Sequence, residues 1–172
     1  MVVFDATMLM LILDDKAKAS VPNGRERVEY LIDCLSKENE RIVIPTPALS
    51  ECLVHAGPAG PDYMALLGRK AVFRIASFDE RAAVEAAFRT WAARQRGQPK
   101  GGAAEIAKAK IKFDRQIVAI AKIEGATAVY SDDGNVVAYA REAGLEGYRL
   151  ADLPEPPEDA QRALPLEPAD GP

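Results

Sequence analysis

Short apolar segments alternate with helical stretches along this chain, and that alternation restricts its fold more than any other feature. Val2-Val3-Phe4, Arg41-Ile42-Val43-Ile44-Pro45, Val72-Phe73-Arg74-Ile75-Ala76, Ala126 to Ser131 and Gly147 to Leu150 each read as a short strand. Helices are expected between them: Met8–Leu13, Asn23 to Asn39 with Asn23 as N-cap, Ala48–His55 opened by Pro47 and stopped by Gly57-Pro58, and Pro61–Arg69. Further helices follow: one capped by Asp79 and running to Arg96, an alanine-rich one from Ala103 to Glu124 ended by Gly125, and Gly134–Ala143. Strand–helix alternation of this kind predicts a parallel sheet covered by helices, an α/β fold in three layers (α/β/α) with four or five central strands. Right-handed crossovers then bring the carboxyl ends of all strands to one edge.

The chain's 172 residues suit one domain, expected over residues 1–153. A proline-rich flexible tail is expected over 154–172, and a mobile loop over Gly97–Gly102. Cys34 and Cys52 form no CxxC and read as reduced core thiols. No signal peptide and no run long enough to span a membrane are visible, so a cytoplasmic protein with no membrane contact is expected.

The formal net charge is -4, which does not mark a nucleic-acid binder. Between Arg89 and Arg115, however, eight basic residues meet two acids, a local +6 that leaves -10 for the remainder. Such a segment can guide a polyanion, or simply solvate two helix faces beside a loop.

Asp5 interrupts an otherwise apolar stretch where the first strand becomes the first helix. In an open α/β sheet that junction is the strand's carboxyl end, where ligands collect. Three more acids reach the same edge. Glu51 lies early in the helix after the second strand, Asp114 shares a helix stripe with Ile117, Val118 and Ala121, and Asp133 follows the fourth strand beside Asp132. Taken singly each has an ordinary reading: helix cap, exposed helix acid, partly buried acid, turn residue. Asp114 fits the ordinary reading least well, because an acid on a sheet-facing stripe is costly unless paired. Together, crowded carboxylates raise one another's pKa unless a cation neutralises them. Hard oxygen ligands of this type suit Mg²⁺ or Mn²⁺, which can activate water against a phosphodiester.

At four segments the chain resembles the PIN-domain nucleases, in particular the VapC-type toxins of toxin–antitoxin pairs. They are Val3-Phe4-Asp5-Ala6-Thr7, Ile44-Pro45-Thr46-Pro47-Ala48-Leu49-Ser50-Glu51, Phe113-Asp114-Arg115-Gln116-Ile117-Val118-Ala119-Ile120-Ala121 and Val129-Tyr130-Ser131-Asp132-Asp133. The resemblance spans residues 2–150. It implies a metal-dependent endoribonuclease, the toxin of such a pair, with Asp5, Glu51, Asp114 and Asp133 as catalytic acids. Asp5, Asp114 and Asp133 would hold Mg²⁺ or Mn²⁺, with Thr7, Ser131 (in the place of the family's Thr) and Asp132 as auxiliaries. It further implies an RNA substrate, a homodimer, and a cognate antitoxin over the acidic site, with the helices at Asn23–Asn39 and Pro61–Arg69 as partner surfaces. Asn135-Val136 departs from the Asp-Phe that the family often carries. A stand-alone RNA-processing nuclease and a non-catalytic binding module on the same fold remain alternatives. A dehalogenase-like phosphatase would need an Asp where Thr7 stands, and a receiver domain would need paired acids and a late lysine.

Three other residues have competing readings. His55 shares a helix face with Glu51 but, at a helix end, reads first as structural. Phe88 and Trp91 read as core or partner-facing in preference to base-stacking residues.

Overall fold

Five strands form one parallel sheet in the order β3-β2-β1-β4-β5. In this computed structural model, which describes residues 1–95 and 105–157, the strands are β1 (Val2–Phe4), β2 (Ile42–Pro45), β3 (Phe73–Ala76), β4 (Ala128–Tyr130) and β5 (Glu146–Tyr148). All four pairings are parallel, with Val3 opposite both Val43 and Val129. Among the described residues the α-helices are α1 (Ala6–Leu13), α2 (Gly24–Lys37), α3 (Thr46–Ala56), α4 (Gly60–Arg69), α5 (Glu80–Gln95), α6 (Glu105–Ile123) and α7 (Gly134–Glu142). Every residue of β1 and β2 is buried, as expected of strands covered by helices on both faces of a three-layer α/β/α sheet.

The strand order decides where chemistry can sit. The chain lays β2 and β3 on one side of β1, then returns to place β4 and β5 on the other. The carboxyl ends of β1 and β4 therefore flank the point where the winding reverses, and a crevice opens there in doubly wound sheets. Phe4, Met8, Leu9, Ile42, Ile44, Ile120 and Leu150 are fully buried and anchor the elements around it.

Local signals act largely as read, with some differences of mechanism. Gly125 ends α6 at φ +69, a conformation costly for side chains with a Cβ. Asn23 does stand at the N-cap of α2, but in the left-handed region and without a side-chain capping bond. Gly57-Pro58 ends α3, yet the chain continues through a single 3-10 turn directly into α4. On β5, a Cβ at Gly147 would lie 2.9 Å from the Val137 carbonyl oxygen, so glycine lets that edge strand meet α7.

One reading changes. Val84, Phe88 and Trp91 on α5 are exposed, so Phe88 and Trp91 are not core residues. The buried face of α5 carries Ala82 and Ala93 instead. These two are eleven residues apart, about three full turns, and lie opposite the large apolar side chains. After Leu153 the chain is held at first by Arg27, which pairs with Glu155 at 2.6 Å and donates to the Leu153 carbonyl. The loop expected at Gly97–Gly102 and the tail beyond residue 157 lie outside the described residues.

Candidate active site

Asp5 follows β1 directly and caps α1. The backbone N–H groups of Thr7 and Met8 donate to its Oδ1 at 2.9 and 3.2 Å, and the Thr7 hydroxyl donates at 2.6 Å. The Ser131 hydroxyl, arriving from the end of β4, donates to Oδ2. The capping and functional readings of Asp5 are thus compatible: one carboxylate oxygen holds the helix and the other faces β4. Burial pushes its pKa up to about 6, against the opposing pull of the Ser131 and Thr7 hydroxyls and the two N–H groups.

The same hydrogen bonds tie β1 to β4. Thr7 Oγ1 accepts from the Asp132 N–H at 2.8 Å, and Ser131 Oγ accepts from the Asp133 N–H at 2.9 Å. Asp133 in turn caps α7 by accepting from the Asn135 N–H at 2.8 Å. Its Oδ2 lies 2.6 Å from Lys110 Nζ. Burial works against the charge on Asp133, but the lysine and the helix N–H groups outweigh it and hold the carboxyl below the usual value.

Asp114 approaches from α6. It is only 5% exposed, and its Oδ2 has no hydrogen-bond partner. Burial, the Asp133 charge, and more weakly Asp5 and Glu51 push it up to about 7, while Lys110 pulls the other way. Glu51 is exposed on α3 and completes the acidic rim. It lines a cleft of about 390 Å³ together with Thr7, His55, Lys18, Asp132 and Asp133. All four acids singled out in the sequence, with Thr7, Ser131 and Asp132, therefore lie towards the β1/β4 reversal, and the charges of Asp5, Glu51 and Asp133 all act on Asp114.

A divalent cation is the natural occupant to test against this donor set. The donors are carboxylates, the hard oxygen type that Mg²⁺ and Mn²⁺ take. One buried carboxylate oxygen, Asp114 Oδ2, stands without a hydrogen-bond partner. Among the described residues, no three His, Cys, Asp or Glu side chains are already gathered as a ligand cluster. Lys110 instead supplies positive charge to Asp133. The residues fit a cation in donor chemistry, although as they stand they do not form a ligand cluster.

Neither a protein-family model nor a curated protein matches the chain. Solved structures do. VapBC2 of Rickettsia felis, bound to a DNA fragment from their promoter, superposes with a TM-score of 0.59 at 13% identity, covering 86% of this chain and 97% of that one. DNA-bound VapBC of Salmonella typhimurium gives 0.56 at 16% identity, covering 87% and 97%. VapC20 of Mycobacterium tuberculosis, a sarcin-ricin-loop-cleaving toxin, gives 0.53 at 12% identity, covering 81% and 95%. The chain has the VapC-type PIN-domain fold.

Two residues of this PIN fold escaped the sequence reading. Lys110 was one of eight basic residues in its segment; its spacing of four from Asp114 on one helix was the available signal. Arg149, just past β5, donates to the Asp132 carbonyl at 3.0 Å and lies 3.5 Å from its carboxylate. Nothing in the sequence pattern marked it. The cysteines are free, as expected, and Cys52 is no nucleophile: burial, with the Glu51 and Asp5 charges, pushes its thiol up to about 12. Among the described residues no helix is long and apolar enough to cross a membrane.

Proposed function

We propose that this chain is a metal-dependent endoribonuclease of the cytoplasm, the toxin of a toxin–antitoxin pair. The observation that carries the reading is the buried Asp114 carboxylate oxygen without a hydrogen-bond partner, within reach of the charges of Asp133 and Asp5. A fold does not fix an activity, so the proposal rests on this site as well as on the neighbours. One of them is a sarcin-ricin-loop-cleaving toxin.

Asp5, Asp114 and Asp133 would hold Mg²⁺ or Mn²⁺, with Glu51 at the rim. When bound, the cation would supply a water of lowered pKa and charge stabilisation for attack at a phosphodiester. The chain's own groups do the rest. Thr7 and Ser131 fix the Asp5 carboxylate by three contacts, so it need not reorganise during the reaction. Asp133 is kept ionised by Lys110 and the start of α7. Lys18, at the cleft wall, can meet a phosphate of the incoming strand. Glu51 and His55 line the same cleft and would orient water or the leaving oxygen.

The partners follow from the same reading: an RNA substrate, a second copy of the chain, and an antitoxin that covers the acids, an arginine being the side chain best shaped to pair with them. Cleavage of a structured RNA in Mg²⁺ or Mn²⁺ tests the activity. Asp5→Asn and Asp114→Asn should each lower the rate by at least about 100-fold. Wild-type protein that leaves every RNA intact would favour the non-catalytic binding module. Cleavage without toxicity, and without co-purification of a neighbouring small protein, would favour a stand-alone processing nuclease.

A further inference from the structure

The acidic site carries a counter-ion from its own chain. Lys110 lies one turn before Asp114 on α6, and its Nζ sits 2.6 Å from Asp133 Oδ2. Its side chain is 58% exposed, whereas that of Asp133 is 15% exposed, so the ammonium reaches inward from solvent on a flexible stem. Its charge also acts on Asp114 and Glu51. Yet Asp114 Oδ2, buried on the same side, has no hydrogen-bond partner. One carboxylate of the pair is thus ion-paired with lysine, while the other keeps a buried oxygen without a hydrogen-bond partner. A cation held by Asp114 and Asp133 would compete with the Lys110 ammonium for the Asp133 carboxylate.

We propose that Lys110 is a built-in rival of the divalent cation: its ammonium occupies Asp133 until a cation displaces it, and so sets the free cation concentration at which the site fills. This rests on the reading of Asp5, Asp114 and Asp133 as a metal site. A tethered rival acts at the high effective concentration of an intramolecular partner, but it brings one charge where Mg²⁺ or Mn²⁺ brings two. The displaced head loses little, because its stem already lies mostly in water. The coupling is reciprocal, so the cation loosens the Lys110–Asp133 pair as much as the pair weakens the cation. The same ammonium also shields crowded carboxylates when no metal is present, which explains a lysine in a site that should attract cations.

Calorimetric titration of the full chain with Mn²⁺, at fixed ionic strength, tests this without reference to catalysis. Lys110→Met and Lys110→Gln, exposed substitutions that leave the core intact, should both tighten Mn²⁺ binding by roughly 5- to 30-fold. Lys110→Arg keeps the charge and should bind Mn²⁺ no more tightly than wild type. In an Asp133→Asn background, Lys110→Met should change the affinity little, because the contested carboxylate charge is gone. Unchanged or weaker Mn²⁺ binding in both neutral variants overturns the rivalry. If wild type binds Mn²⁺ and Asp114→Asn does not, that failure leaves the metal site standing. If wild type binds no Mn²⁺ up to millimolar concentration, the metal reading fails and this proposal with it.

Discussion

Asp5 and Asp114 form two walls of one site and are buried almost equally, at 3% and 5% exposure, yet they are held in opposite ways. Asp5, at the strand edge, accepts from the Thr7 hydroxyl, the Ser131 hydroxyl and two backbone N–H groups. Asp114, on the helix wall, has an oxygen that nothing satisfies and meets the charges of Asp133, Asp5 and Glu51. Burial raises both, but the hydrogen bonds stop Asp5 at about 6 while Asp114 reaches about 7. The strand-edge acid serves the fold as well as the site. The helix acid burdens the fold, which is the pattern expected of a group kept for function.

The largest effect that can test this contrast is the pH dependence of stability without metal. Both carboxyls titrate near 3.8 when unfolded and higher when folded, so the folded state binds these protons more tightly. Their contribution is complete below about pH 4 and is lost as pH climbs through about 6 for Asp5 and about 7 for Asp114. Asp133 has the opposite sign: its lowered pKa favours the fold above the ordinary carboxyl range and is lost on acidification. In EDTA, unfolding free energy from urea titrations should therefore fall between pH 4 and pH 8, on the order of several kcal/mol. Mn²⁺ should flatten the fall. A flat profile in EDTA would mean that the two acids are not burdened as described.

Substitution separates the two walls more directly, with a smaller effect. Asp5→Ala removes an N-cap and strands the Ser131 and Thr7 hydroxyls and two N–H groups, so a loss of about 2–4 kcal/mol is expected. Asp114→Asn keeps the shape and drops the buried charge. At pH 8 without metal it should raise stability by about 1–2 kcal/mol, since removing an unpaired buried charge relieves its desolvation. Urea midpoints at fixed pH read both. Equal destabilisation by the two changes would erase the distinction.

Most of this arrangement was legible in the sequence, for reasons that differ by residue. Asp5 and Asp133 stood out because each places a charge at the end of a short apolar strand, where packing alone gives no reason for one. Asp114 stood out because Ile117, Val118 and Ala121 fix which face of α6 is buried, and an acid shares it. The parallel sheet followed from strand–helix alternation, but the order that brings β4 beside β1 depends on long-range packing and left no local mark. Lys110 and Arg149 were missed because their roles come from partners distant in sequence, Asp133 and Asp132. On α5 the pattern misled: Val84, Phe88 and Trp91 make the more hydrophobic stripe, yet the alanines face inward because α6 packs close against that helix.

The finest test concerns what keeps the two acids different, and Ser131 is the residue to ask. Its side chain is fully buried, and its hydroxyl donates to Asp5 Oδ2 while accepting from the Asp133 N–H at 2.9 Å. It is the largest of the hydrogen-bonding influences that lower Asp5. Ser131→Ala leaves Asp5 Oδ2 and the Asp133 N–H without this partner, so a loss of stability of about 1–3 kcal/mol is expected. The titration should respond more clearly. Without that donor the Asp5 pKa should climb from about 6 towards that of Asp114, and the two walls should become alike. Ser131→Thr retains the hydroxyl. It should leave the Asp5 titration near its present value, whatever its methyl group costs in packing. Carbon-13 NMR of the aspartate carboxyls across pH 4–9 in EDTA would follow both variants. An Asp5 titration that ignores the loss of the hydroxyl would move the origin of the difference from Ser131 to Thr7 and the α1 N-terminus, whose three donors would then suffice alone.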